Sequence, residues 1–288
     1  MKNKIYLHDC SFFKNKKIIK KIILSESFGM RCERIIIENN ESYIVKSLEV
    51  NNTGYNALIY ERKSLQYMFD KFPHLFPKVL YFDNKILIME YLENNKIKGK
   101  YYEKELLNAI VAIHKVKNKR FGFDYDTPIG ALKQPSEYNN NWVDFYKEKR
   151  LGMIFNLINK INPMPKNVNS SIENILKNIE NILPKNPTPS LIHGDLWEGN
   201  ILFNNGKLMG LIDPGIHFAH NEMEIAYLTF FNYVSNNFLR IYSNIIKLDE
   251  EYYNYEPIYQ LYYCLLNVHL WDRSYIKNTI EIINKVKL

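Results

Sequence analysis

The segment that most constrains this chain is His193-Gly194-Asp195-Leu196-Trp197-Glu198-Gly199-Asn200, followed by Asn205-Gly206 and, thirteen residues after Asn200, by Asp213. Asn-Gly between two apolar runs is a strong hairpin signal, because both central residues of the tight turn need positive φ. It predicts strands over Ile201 to Phe203 and Leu208 to Ile212. Pairing Asn204 with Lys207 and counting back along the ladder puts Asn200 opposite Leu211, two residues from Asp213. A short hairpin thus delivers an amide oxygen and a carboxylate to one end, just downstream of a second carboxylate, Asp195.

That grouping suits phosphoryl transfer. The reaction needs a carboxylate near the acceptor hydroxyl and oxygen ligands for Mg²⁺ bridging the phosphates. His-x-Asp-x-x-x-x-Asn is the spacing of a kinase catalytic loop, in which the Asp accepts the hydroxyl proton and the Asn holds metal. Asp195 is the expected base, and Asn200 and Asp213 are the expected metal ligands.

The chain before Tyr91 supplies what such a site requires. Ile35-Ile36-Ile37 and Tyr43-Ile44-Val45 read as strands across Glu38-Asn39-Asn40-Glu41. A helix is predicted from about Asn56 to Phe69, closed by Pro73 and Pro77, and two more strands over Lys78 to Phe82 and Ile86 to Met89. Lys46, at the end of its strand, is placed to pair with ATP phosphates, with Glu61 on the helix as its partner. Glu90-Tyr91-Leu92 marks the junction of two lobes, where the backbone of Glu90 and Leu92 would receive adenine. Ser27-Phe28-Gly29-Met30-Arg31 is the candidate phosphate loop; it carries the single glycine Gly29, with Arg31 as an aid. Cys32 lies between Arg31 and Arg34, whose charge would favour a redox-sensitive thiolate.

After Tyr91 the pattern turns helical. Leu106, Leu107, Ile110, Ile113 and His114 share one face, as do Ile258, Leu261, Tyr262, Leu265 and Leu266. No internal repeat or long linker interrupts the chain. The expected fold is α+β and protein-kinase-like, with a β-rich N-lobe over residues 1–91 and a mostly helical C-lobe over 92–288 carrying the catalytic loop, metal site and substrate site.

Composition narrows the partners. The formal net charge is +7, yet the lysines are interleaved with acids, and the densest cluster, Lys14, Lys16, Lys17, Lys20 and Lys21, is broken by Ile18 and Ile19. A solvated basic face is expected there, not a nucleic-acid surface. Cys10, Cys32 and Cys264 show no metal-ligand or disulfide spacing, which points to a reducing cytoplasm. Lys2 and Lys4 precede only a short apolar run, unlike a signal peptide. Ile225 to Leu239 is too polar to span a membrane.

These residues resemble the fructosamine kinase family, the ketosamine or ribulosamine 3-kinases, relatives of aminoglycoside and choline kinases. The distinguishing mark is Trp197 within His-Gly-Asp-Leu-Trp-x-Gly-Asn. The resemblance extends through Phe121-Gly122-Phe123, Gln134-Pro135, Asn141-Trp142-Val143-Asp144-Phe145-Tyr146, the stretch from Ile212 to Ala226, and Tyr259 to Tyr263. It implies ATP and Mg²⁺ as cofactors and a sugar hydroxyl of a ketoamine, free or on a glycated lysine, as acceptor. Asp195 would be the base, Lys46 and Glu61 the phosphate clamp, and Trp197 a wall of a sugar pocket that also involves Gln134. Glu198 departs from the family, which usually has a small residue there. A kinase of another small alcohol, such as an amino sugar or choline, and a nucleotide-binding pseudokinase are the alternatives.

Overall fold

The computed structural model describes residues 10–48, 54–130 and 132–287; residues 2–9, on which the signal-peptide expectation rests, lie outside them. The first strands are β1 (Ile18–Ser27), β2 (Met30–Ile37) and β3 (Ser42–Leu48), followed by helix α1 (Ala57–Lys71), β4 (Val79–Phe82) and β5 (Ile86–Glu90). They build an antiparallel sheet in the order β1-β2-β3-β5-β4. Its buried face is apolar: Ile35, Ile37, Val45, Ile86 and Ile88 pack with Cys10 and Phe13. Asn56 caps α1 by accepting the Leu58 N–H at 3.1 Å, the usual way a helix start satisfies an orphan donor.

Strand β1 lies at the sheet edge and keeps Ile19, Ile23 and Leu24 exposed. Lys20 and Lys21 beside them are also exposed, and charge on an edge strand discourages pairing with another chain. The solvated basic face expected here is present. Lys16 differs, lying over the Phe12 ring at 3.4 Å.

Next come α2 (Tyr102–His114), the short strands β6 (Thr127–Ile129) and β7 (Leu132–Gln134), and α3 (Trp142–Tyr146), which runs through a π-helical turn into α4 (Gly152–Ile161). After α5 (Lys166–Asn178), strand β8 (Pro189–Ile192) leads to β9 (Ile201–Asn204), β10 (Lys207–Leu211) and β11 (His217–His220). The chain closes with α6 (Glu222–Phe230), α7 (Asn236–Ile245), α8 (Tyr252–Leu270) and α9 (Tyr275–Ile283). None of the helices among the described residues is long and apolar enough to cross a membrane.

Two compact units result, and neither is one continuous stretch. The sheet unit takes in the chain up to Tyr102 together with Pro128–Lys133 and Gly199–Gly215; the helical unit holds the rest. The β9–β10 hairpin therefore belongs with the N-terminal sheet, although a single boundary after Tyr91 would leave it in the C-lobe. Main-chain bonds hold it there: Leu211 N–H donates to Leu75 O at 2.7 Å, and Gly206 N–H to Ile97 O at 2.9 Å.

The helical unit has an aromatic core in which Trp142, Tyr146 and Tyr262 are paired, while the buried Tyr263 hydroxyl has no hydrogen-bond partner among the described residues. Trp142 is fully buried and donates from Nε1 to the Tyr259 hydroxyl at 2.8 Å. Tyr146 donates to Ile258 O at 2.6 Å and Tyr262 to Gln134 Oε1 at 2.7 Å. Buried tyrosines are tolerable on this condition.

His220 sits in the same core, its Nδ1 2.9 Å from the Tyr259 hydroxyl. Burial, then the charges of Lys117 and His114, lower its pKa to about 3. A histidine depressed in the folded state adds stability above its unfolded pKa near 6.5, and that contribution is lost as pH falls from 6.5 toward 3. Two pH units of that window correspond to about 2–3 kcal/mol. His220→Gln, which stays neutral, should flatten the fall of Tm between pH 6.5 and 4.5 in thermal scans. An equally steep fall in the variant would assign acid sensitivity to other groups.

Candidate active site

The sheet unit assembles a charged triad. Lys46 lies within β3, opposite Cys32 on β2 and Leu87 on β5. It is not at a strand end, because the ladder continues to Leu48, and it is buried at 6% exposure. Glu61 points inward from the second turn of α1 and is buried equally. Lys46 Nζ donates to Glu61 Oε1 at 2.6 Å and to Asp213 Oδ1 at 2.6 Å. Burial alone would lower the lysine pKa, but the carboxylates of Asp213 and Glu61 outweigh it and hold the ammonium charged. Glu61 is displaced upward, first by burial, with Lys46 opposing and Asp213 adding to the shift. The Asp213 side chain is 37% exposed, against 8% for the other two. The triad thus presents one carboxylate outward on a buried cation.

The β9–β10 hairpin carries Asp213 to that position. Asn205 and Gly206 both have positive φ, +48° and +86°, and Asn204 pairs with Lys207 as the Asn-Gly turn predicts. The ladder then slips by a bulge between Leu208 and Gly210, so Leu211 faces Ile201, and Ile212 N–H donates to Asn200 O at 3.0 Å. Asn200 is therefore opposite Ile212, one residue from Asp213, not opposite Leu211. A bulge adds a residue to one strand and re-aims the side chains beyond it. Asp213 adopts φ +56° immediately before Pro214. A left-handed non-glycine residue is uncommon, and such backbone clusters at functional sites.

In the helical unit, β8 delivers the loop that holds Asp195. Gly194 takes φ +85°, a conformation that favours glycine. The loop is anchored by Glu224 of α6. Its carboxylate, fully buried, accepts from Gly194 N–H at 2.7 Å and His193 N–H at 3.2 Å, and lies 3.0 Å from His114 Nε2. Burial would raise the Glu224 pKa, but hydrogen bonding from His114 and the loop main chain reverses this and lowers it. Tyr227, one helical turn on, is hydrogen-bonded to Asp195 itself. These two anchors carry no spacing signal of their own; Glu224 stands out in the sequence only as part of the resemblance, and Tyr227 not at all. Trp197 is 40% exposed. Gln134 is fully buried and braces Tyr262 instead of presenting a face to solvent.

The residues expected to contact nucleotide have varied surroundings. Gly29, φ +73°, and Phe28, φ +53°, form a two-residue turn between β1 and β2, with Ser27 paired to Met30. Arg31 bonds Glu26 across that turn, Nη2 to Oε1 at 2.7 Å, so its charge is already matched. Cys32 does not have the environment of a thiolate: burial first, then Asp213 and Glu61 against the pull of Lys46, push its pKa up to about 11. Glu90 N–H donates to Lys78 O at 3.0 Å, and the Glu90 carboxylate accepts from Lys78 N–H. Leu92 packs against Gly210, where an added Cβ would come within 2.6 Å of its Cδ1.

A fructosamine kinase family model matches residues 15–288. The chain belongs to the fructosamine kinase family. Among its relatives, an Enterococcus faecium protein named a probable ketoamine kinase is 31% identical over 192 residues, covering 66% of this chain and 67% of that protein. The chloroplastic protein-ribulosamine 3-kinase of Arabidopsis thaliana is 27% identical over 203 residues, covering 69% and 60%. The fold of a Thermobifida fusca protein described as a fructosamine-3-kinase superposes with a TM-score of 0.81 at 22% identity, with 94% of each chain covered. An aminoglycoside phosphotransferase gives 0.64 at 16% identity over 94% of this chain and 95% of that one, which shows the fold alone.

This member of the family therefore has the protein-kinase-like fold and is an ATP-dependent phosphotransferase. Its residues fit a magnesium ion. Asn200 and Asp213 offer hard oxygens at one end of a hairpin, and no group of three His, Cys, Asp or Glu side chains among the described residues forms a ready-made cage. Mg²⁺ is commonly held by one or two carboxylates or amides, with substrate phosphates and water completing its octahedron.

Proposed function

We propose that this kinase transfers the γ-phosphoryl group of ATP to a sugar hydroxyl of a ketoamine, a fructosamine or ribulosamine adduct of a lysine or free amine. The observation that carries the phosphoryl-transfer chemistry is Lys46 Nζ held 2.6 Å from both Glu61 and Asp213. A buried ammonium fixed between two acids is aimed, not free to swing, which positions charge against phosphate without reorganisation. The acceptor class is supported by Trp197 in the catalytic loop together with the family match.

In this reading Asp195 takes the proton of the acceptor hydroxyl as it attacks, while Tyr227 and Glu224 hold that carboxylate and its loop in place. Lys46 engages the ATP phosphates, with Glu61 keeping it extended. Asn200 and Asp213 would hold Mg²⁺, which supplies charge neutralisation on the phosphates. Trp197 offers an aromatic face to the C–H side of the sugar. Cys10, Cys32 and Cys264 carry free thiols, which suits the reducing cytoplasm proposed as its setting.

The test is incubation with ATP, Mg²⁺ and peptides carrying ribosylated or glucosylated lysine, with mass spectrometry of the products. One added phosphate on at least one ketoamine peptide is expected. Faster phosphorylation of choline or an aminoglycoside would overturn the acceptor class, and ATP binding with no transfer to any acceptor would make the chain a pseudokinase.

A further inference from the structure

The catalytic loop is bordered, within the helical unit, by a run of aromatic rings of which the phosphoryl-transfer chemistry uses only the Tyr227 hydroxyl. Tyr227, bonded to Asp195, stacks on Tyr263 with centroids 3.8 Å apart. Phe231 meets Tyr227 edge-on at 5.6 Å, and Tyr233 stacks on Phe231 at 5.3 Å. Tyr233 in turn hydrogen-bonds the main chain of Glu198 and feels its carboxylate, along with Tyr275 and Asp195. Tyr275, at the start of α9, acts on Tyr227 as well. Asp195, Glu198, Tyr227 and Tyr233 are therefore one neighbourhood, linked through Phe231. It is partly open: Glu198 and Trp197 are exposed, and Tyr233 is half-buried.

The groups that meet in this patch are aromatic and acidic. Aromatic faces are electron-rich, carboxylates are anionic, and the combination attracts a cation, most strongly an ammonium lying against a ring with an acid nearby. A plain sugar has no cation to offer. A ketoamine does, because its secondary amine is protonated at neutral pH, and that amine sits on C1, two carbons from the C3 hydroxyl that a 3-kinase phosphorylates. Asp195 and Glu198 are three positions apart on one loop, which matches two adjacent points of such an acceptor.

We propose that Glu198, with the ring of Tyr233, is the specificity-determining site that binds the protonated amine of the acceptor while Asp195 addresses its hydroxyl. The proposal rests on the ketoamine acceptor proposed for this kinase. It also gives a role to Glu198, the residue at which this chain departs from the family's small side chain. An acid three residues from the base is tolerated near a transferring phosphate when the acceptor brings a positive charge to neutralise it.

Steady-state kinetics of the full chain test this with two acceptors: Nε-ribulosyl-lysine, and 1-deoxyribulose, which has the same ketose without the amine and is measured as a substrate or a competitive inhibitor. Glu198→Gln should lower kcat/KM for ribulosyl-lysine by about tenfold, the size of a lost ammonium contact with an acid and an aromatic ring, and leave 1-deoxyribulose within about twofold of wild type. Tyr233→Leu should act in the same direction by about fivefold. Equal losses on both acceptors would make Glu198 a brace of the loop. Unchanged discrimination would remove it from the site, and a raised Mg²⁺ requirement would assign it to the metal; each of these overturns the proposal while wild-type turnover of ribulosyl-lysine leaves the ketoamine reading standing. Absence of wild-type turnover on both ribulosyl- and fructosyl-lysine would overturn the ketoamine reading and the amine site with it.

Discussion

Asp195→Asn should lower kcat by about 10²–10⁴-fold while the KM for ATP stays close to wild type, because general-base catalysis contributes that much and the amide cannot take a proton. The substitution is conservative for structure. Asparagine keeps an oxygen that can accept from Tyr227, and the loop is held by Glu224 through the main-chain N–H groups of His193 and Gly194, not through the Asp195 side chain. Steady-state ATP turnover with a ketoamine acceptor, alongside a thermal melt, checks both halves of the expectation. Turnover near wild type would remove Asp195 from the role of base. A loss of melting cooperativity would show that its carboxylate supports the fold as well.

Lys46→Met should abolish measurable turnover and also weaken the sheet unit. A lysine at a strand end could be removed with little effect on folding, but this one is 6% exposed inside β3 and neutralises a buried glutamate. Removing one partner of a buried pair leaves the other uncompensated, at a cost of about 3–5 kcal/mol. Replacing the pair together avoids that penalty: Lys46→Met with Glu61→Leu should recover most of the lost stability and none of the activity. Urea unfolding of the single and double variants, with ATP turnover, separates the two contributions. A double variant as unstable as the single would mean that Asp213, the second acid on Lys46, sets the cost; recovered turnover in the double variant would sink the phosphate-clamp role.

Much of the site was legible because its residues sit close together in sequence or carry strong local signals. His193 to Asn200 is one loop, and Asn205-Gly206 requires a turn whatever surrounds it. The strands Met30–Ile37 and Ser42–Leu48 and the helix Ala57–Lys71 arise from β-branched runs and from Asn56 as a cap. The hairpin register was legible only up to the bulge at Met209. Gly210 inside the run Leu208 to Leu211 is the one local sign of a bulge, and it also lets the strand approach Leu75 O, which would stand 3.0 Å from an added Cβ.

The amino-acid sequence by itself determined the strands β2 to β5, the helix α1, the β9–β10 hairpin, the catalytic-loop spacing and the family, since each depends on local propensity or on a contiguous pattern; it did not announce β1, β6, β7, β8 or β11. Tertiary structure alone decided the rest. It brought Asp213 to Lys46 across 167 positions and Glu224 beneath Gly194 across 30. It also withdrew one local expectation, Cys32 as a thiolate, because burial penalises the charged form. The physical reason is common to all of these. Charge, hydrogen bonding and desolvation depend on what surrounds a side chain in space, and a linear pattern records only what adjoins it along the chain.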